Sequence, residues 1–260
     1  MLHYEISGNG NENLVLLHGF LENSKIWVEM EKTLSPKFKL IKIDLPGHGK
    51  SPKIATVQSM ELMAEEVLNT LEHLEITKFH LLGHSMGGYI SLAFAELFPQ
   101  YLKSMTLFFS TYFADSQEKK EQRKKSYRII EDAFGHYVNA GIPNYFNSYE
   151  IGEMETTIHL AKSIGLETDN LGALACAKGM VERKDRTHVL EQFEEKILII
   201  AGKHDNAVDT VAMIKNLPER SNIKSYILDC GHSGHWERPT ICAEIINIEL
   251  LKHLPKKLVL

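Results

Sequence analysis

The run Gly83-His84-Ser85-Met86-Gly87-Gly88 narrows what this chain can form more than any other stretch. It follows a short apolar segment, Phe79-His80-Leu81-Leu82, that reads as a buried strand. It opens a longer apolar segment, Met86 to Phe98, that reads as a helix stopping before Pro99. A serine between a strand and a helix, flanked by glycines in G-x-S-x-G spacing, sits on a turn so sharp that its backbone is strained. Only small neighbours fit beside such a turn. The turn lifts the Ser85 hydroxyl out of the sheet and aims the positive amino end of the helix at it.

The same alternation recurs along the first half. Leu14 to Leu17, Phe38 to Ile43 and Ser104 to Phe109 are further apolar runs, and Gln58 to Leu74 carries apolar residues at helical spacing. Near-continuous apolar strands separated by helices predict a mostly parallel central sheet with helices on both faces. From about residue 112 to 188 no strand pattern is found. Ser116 to Phe134, Glu150 to Ile164 and Thr168 to Arg183 read as helices, with Thr168 or Asp169 as a cap for the last. The charged run Gln117 to Lys125 reads as a solvated helix face. The strand pattern resumes at Lys196 to Ala201 and Lys224 to Leu228. Helices are expected over Val208 to Leu217 and Thr240 to Leu254. The expected organisation is one α/β core, residues 1–111 and 189–260, interrupted by a helical insert over 112–188.

Composition excludes other classes. Lys and Arg number 29 and Asp and Glu 34, a net charge of −5, so the basic excess of a nucleic-acid binder is missing. Three scattered cysteines, Cys176, Cys230 and Cys242, suit neither a disulfide framework nor a cysteine zinc site, and they fit a reducing compartment. No signal-peptide pattern and no apolar run of about 18 residues is found. The expectation is a cytoplasmic protein with a small-molecule substrate and no membrane or nucleic-acid partner; oligomeric state is not legible.

A serine hydroxyl is a poor nucleophile unless a base takes its proton. In parallel sheets functional groups gather at the carboxyl ends of strands. Asp205 follows the strand at Lys196 to Ala201, and His232 follows the strand at Lys224 to Leu228. The order Ser85, Asp205, His232 suits a nucleophile, an orienting acid and a base. Asp229 and Asp115, each close behind a strand, are rival acids.

With Leu16-Leu17-His18-Gly19-Phe20, Asp44 to Ser51, Gly83 to Gly88, Asp205, and Gly231-His232 followed by Glu237-Arg238-Pro239, the chain resembles the α/β-hydrolase fold family over nearly its full length. It looks like the single-domain serine hydrolases with a helical cap. The resemblance implies a Ser85–His232–Asp205 triad, a cap over the pocket, and neither metal nor organic cofactor. In the family pattern the base follows a glycine and precedes an acidic residue by five positions, which favours His232 over His235. His232 and His235 form H-x-x-H, but without a helix or an evident third ligand no zinc site is read there. The resemblance further implies an oxyanion hole from the backbone N–H groups of Phe20 and Met86, with His18 fixing the loop. Trp27 and His235 are expected at an apolar substrate pocket taking small to medium neutral substrates, with ordinary core the alternative for Trp27 and a surface turn for His235. Gly49-Lys50-Ser51 lacks the leading glycine of a phosphate loop, because position 44 is Asp.

The implied activity is carboxylester hydrolysis through an acyl-enzyme. Thioester hydrolysis, carbon–carbon bond hydrolysis, perhydrolysis or a lyase step on the same residues are alternatives. A ligand-binding or signalling protein that kept the fold is the alternative of another class.

Overall fold

The computed structural model describes residues 1–251. Its strands are β1 (Tyr4–Ser7), β2 (Glu12–Leu17), β3 (Phe38–Ile43), β4 (Phe79–His84), β5 (Leu102–Phe108), β6 (Lys196–Gly202) and β7 (Ile223–Leu228). They form one sheet in the order β1-β3-β2-β4-β5-β6-β7, with β1 antiparallel to β3 and every other pairing parallel. The helices of the first half are α1 (Val28–Leu34), α2 (Met60–His73) and α3 (Met86–Leu97). Between β5 and β6 come α4 (Gln117–Asp132), α5 (Phe134–Gly141), α6 (Glu155–Leu166), α7 (Asn170–Glu182) and α8 (Thr187–Gln192). The chain continues with α9 (Thr210–Lys215), α10 (Gly234–Glu237) and α11 (Pro239–Leu251).

The strands alternate their side chains between two apolar layers. Val15, Leu17, Ile41, Leu81 and Leu107 face α2 and α3 in one core, while Leu14, Leu16, Leu40 and Leu82 face α1 and α11 in the other. With both faces covered, the strands read as continuous apolar runs. From β2 the chain crosses to β3 on one side, and from β3 it crosses back over β2 to β4 on the other. The strand order therefore reverses between β2 and β4, and a crevice opens at their carboxyl ends, the usual ligand position in open parallel sheets. His18-Gly19 and Ser85 leave the sheet at that crevice.

The strands and most helices lie where the sequence leads one to expect them. β1, α1, α5, α8 and α10 carry no such sequence signal, being only four to eight residues long, and α10 puts His235 on a helix where none was expected. The expected insert boundary at 188 falls inside α8, which packs on α3 of the core. Asp169, not Thr168, caps α7, its carboxylate accepting the Gly172 N–H at 2.6 Å. Helix α11 is described to Leu251, so positions 252–254 of the expected last helix lie outside the described residues. Cys176, Cys230 and Cys242 are all buried and unpaired. Among the described residues no helix is long and apolar enough to cross a membrane.

Candidate active site

Ser85 adopts φ 49° and ψ −112°, a region that L-residues with a side chain rarely enter. Its neighbours allow that geometry. A Cβ at Gly83 would lie 2.1 Å from the Gly87 carbonyl oxygen, and one at Gly87 would lie 2.4 Å from the carbonyl oxygen of Leu17. The glycines of the motif are therefore required by close backbone approach between β4, α3 and β2.

The turn presents the Ser85 hydroxyl to His232. Ser85 Oγ lies 2.9 Å from His232 Nε2, and His232 Nδ1 lies 2.7 Å from Asp205 Oδ2. A carboxylate only accepts, so the imidazole proton sits on Nδ1 and Nε2 is left to accept from the serine. Asp205 is itself fixed, its other oxygen accepting the N–H groups of Ala207 and Val208 at 2.7 and 2.9 Å. The loop carrying His232 is held from two sides. The Tyr145 carbonyl accepts from the N–H groups of His232 and Ser233, and the buried Glu237 carboxylate accepts from Gly231, Ser233 and Asn147. Burial raises the Glu237 pKa against those three N–H donors.

The rival acids are engaged elsewhere. Asp115 is clamped between Arg123 Nε at 2.6 Å and Arg183 Nη2 at 2.8 Å. Asp229 is largely exposed and pairs with His204.

The loop after β2 is pinned by two neutral histidines. His18 Nδ1 donates to the Gly19 carbonyl at 2.7 Å while Nε2 accepts the Leu45 N–H at 2.9 Å. His48 donates to the Pro46 carbonyl and accepts the Leu21 N–H. Burial lowers the pKa of both, that of His48 to about 3. Phe20, at the tip of this loop, lines the cavity with Ser85, and Met86 opens α3, where the first N–H groups have no partner within the helix. The Asp44 to Ser51 turn is structural. The Asp44 carboxylate accepts the N–H groups of Ser24 and Lys50, so the loop amides point inward to a side chain of their own chain.

Sequence reasoning missed Glu22. Its Oε2 accepts the Gly19 N–H at 2.6 Å and lies 2.8 Å from His84 Nδ1. His84 Nε2 donates to the His232 carbonyl at 3.0 Å. Both ring nitrogens thus donate, which describes an imidazolium paired with a carboxylate. Burial opposes charging His84, but the Glu22 carboxylate outweighs it and raises the His84 pKa. Burial likewise opposes ionisation of Glu22, and His84 and His235 together bring its pKa well below the usual carboxylate value. Glu22, His84 and His235 offer three ligand-type atoms within 4.8 Å of one another, yet both His84 nitrogens carry protons in this arrangement, which makes the cluster an ion pair with a neighbour. Nothing in the local spelling Gly19-Phe20-Leu21-Glu22 marks the glutamate.

Two expected pocket residues are elsewhere. Trp27 is fully buried in the core under α1, its ring 6.0 Å from those of Phe108 and His235. His235 is also fully buried, faces His84 with ring centroids 4.6 Å apart, and neither of its nitrogens makes a hydrogen bond. Both residues sit beneath the loops that carry Ser85 and His232, packed on the sheet's second core instead of the cavity wall. The cavity over Ser85 and His232 has a volume of about 270 Å³. Its wall is only half apolar, with Phe20, Met180 and Ala207 on it beside polar groups. Lys119, Gln122, Arg123 and Ser126 line it, at the i, i+3, i+4, i+7 spacing of one helix face. The charge run of α4 is therefore solvated on one side only; its other side looks into the site, where Tyr89, Tyr137 and Tyr145 join it.

A family model described as alpha/beta hydrolase fold matches residues 12–157. A 2-hydroxy-6-oxononadienedioate/2-hydroxy-6-oxononatrienedioate hydrolase of Pseudomonas putida is 25% identical over 251 residues, covering 91% of this chain and 87% of that protein. The structure of a thermophilic esterase from Thermogutta terrifontis, with malate bound, superposes with a TM-score of 0.88 at 28% identity, covering 96% of this chain and 92% of that one. A dihydrolipoyllysine-residue acetyltransferase component of an acetoin cleaving system, also from Pseudomonas putida, is 42% identical over 104 residues; the match spans 40% of this chain and only 28% of that relative. The chain is an enzyme of the hydrolase class. With more than half of its length matched by the family model, it belongs to the alpha/beta hydrolase fold family.

Proposed function

We propose that the protein transfers the acyl group of a small ester-type substrate to water through Ser85. His232 takes the Ser85 proton as Oγ attacks the carbonyl carbon. Asp205 holds the imidazole in its reactive tautomer and stabilises it once charged. The N–H groups of Phe20 and Met86 receive the oxyanion. His232 then gives its proton to the leaving alkoxide, and the alcohol departs. In the second half His232 takes a proton from water, the hydroxide attacks the acyl-enzyme, and Ser85 leaves with the proton returned by His232. Helices α4 to α7 act as the cap that closes the site over residues 112–188. No step requires a metal or an organic cofactor.

The observation that carries this reading is the continuous hydrogen-bonded line from Ser85 Oγ through both His232 nitrogens to Asp205. A small to medium substrate suits the cavity of about 270 Å³. The test is an ester panel of increasing acyl length with thioester controls, run on wild type and Ser85→Ala. Short esters are turned over by wild type alone if the reading holds. Equal rates in the two proteins overturn it.

The Pseudomonas putida relative supports a second reading. The Pseudomonas putida hydrolase is named for a 2-hydroxy-6-oxo dicarboxylate, a substrate with a ketone and no ester, so carbon–carbon bond hydrolysis on the same residues is the second reading here. That relative's substrate and the malate bound to the Thermogutta terrifontis esterase both carry carboxylates, which bears on the charge of the substrate here.

A further inference from the structure

We infer that the cavity above Ser85 selects substrates bearing a carboxylate, held by Arg123 and Lys119 of α4; the inference rests on the acyl-transfer reading for the reaction but not for the binding. Both cations line the cavity, and no acidic residue is among its lining side chains. The Arg123 guanidinium is already positioned. Its Nε donates to Asp115 Oδ2 at 2.6 Å, which orients the planar fork and leaves its two terminal nitrogens for a ligand. Asp115 does not cancel that charge, because Arg183 donates to its other oxygen at 2.8 Å, so two guanidinium groups share one carboxylate. Arg183 in turn lies over the Tyr89 ring, 4.0 Å from its centroid, and Tyr89 lines the same cavity. Lys119 donates to the Ala207 carbonyl, beside the loop that carries Asp205, and keeps two further N–H donors.

The arrangement is a built positive subsite in a small, half-open cavity, where Lys119 meets only a backbone carbonyl and two guanidinium groups share one carboxylate, so that a half-ester of a dicarboxylic acid supplies the anion that a neutral ester lacks. The expectation of a neutral substrate does not account for such a wall. The carboxylate belongs either to the acyl portion or to the leaving group, and the test covers both.

Two matched pairs decide the matter. Monoethyl succinate against diethyl succinate places the acid on the acyl side; 4-acetoxybenzoate against its methyl ester places it on the leaving side. For wild type the acid of at least one pair is preferred in kcat/KM by about tenfold or more, the effect of one charge-assisted hydrogen bond. In Lys119→Gln and Arg123→Gln that ratio falls toward one. Arg123→Gln also removes a partner of buried Asp115, so its folding is checked by thermal melting; Lys119→Gln gives up only a backbone carbonyl and carries the test alone if the first variant does not fold. Wild type favouring neither acid, or a preference that survives in every folded variant, overturns the proposal. If no ester is hydrolysed at all, the acyl-transfer reading has failed and succinate binding still decides this one. Calorimetric titration with succinate then shows binding to wild type that weakens in Lys119→Gln, whereas no binding to wild type overturns it.

Discussion

Glu22 and His84 meet at 2.8 Å immediately behind the Ser85 turn, and the same carboxylate oxygen holds the Gly19 N–H of the facing loop. One ion pair thereby ties together three loops that leave different strands: the loop after β2, the turn after β4, and, through the His84 bond to the His232 carbonyl, the loop after β7. Glu22→Gln leaves a buried imidazole without its counter-charge, and the cost is about 3–5 kcal/mol of folding stability, read from denaturant midpoints. A loss within a few tenths of a kcal/mol of zero would mean that the pair is not ionised.

The pair also gives stability a pH signature. A histidine whose pKa is raised on folding stabilises fully below its unfolded value, near 6.5, and loses that contribution as pH rises through the folded value. A carboxylate whose pKa is depressed on folding stabilises fully above its unfolded value, near 4.5, and loses the contribution only as pH falls toward the folded value. Between those two unfolded values the pair contributes in full. Above that window, wild-type stability declines through the raised His84 titration, and Glu22→Gln lacks that decline. Parallel curves for the two proteins would contradict the assignment.

His235 and His48 act on the acid side. Burial holds both near 3, while the unfolded chain takes up their protons near 6.5. The unfolded state thus binds more protons between those values, and stability falls as pH drops through them. Replacing His235 by Phe removes one such group, so the variant's melting temperature depends less on pH over this range. The same variant keeps far more activity than His232→Ala, which loses about 10⁴ in kcat. If His235→Phe is the more damaged of the two, the base has been misassigned.

Asp205 and Asp115 separate chemistry from stability. Asp205→Asn puts the wrong tautomer on His232 and lowers kcat by about 10⁴ at unchanged fold. Asp115→Asn leaves the buried Arg183 and the cavity-lining Arg123 without their shared carboxylate and costs about 3–5 kcal/mol in stability. Near-normal turnover by Asp205→Asn would send the search for the orienting acid elsewhere.

The parts of the site legible in the sequence are those fixed by backbone punctuation. Ser85, Asp205 and His232 each follow a recognisable apolar strand, and glycine marks the bend before each: Gly83, Gly202 and Gly231. The sheet was legible for the same reason, since strands covered on both faces are apolar throughout. Contacts between distant segments were not. Glu22 meets His84 across 62 positions, and Arg183 meets Asp115 across 68, distances over which no local pattern carries information. The cavity face of α4 was hidden because Lys119, Gln122, Arg123 and Ser126 are as polar as the solvated face beside them; only packing tells one face from the other. Trp27 is ambiguous for the opposite reason: a large aromatic fits a pocket wall and a core equally well by type, and its neighbours Phe108 and Met30 settle it in the core, the alternative reading of that residue.

Reactivity of a single hydroxyl is the most direct measure of the account. Incubation of the folded protein with a fluorophosphonate probe, followed by peptide mass mapping, yields one adduct on Ser85 that is absent in Ser85→Ala and formed far more slowly in His232→Ala. Folded wild type that takes no adduct, or carries it on another residue, would contradict the assignment of the nucleophile and the mechanism built on it.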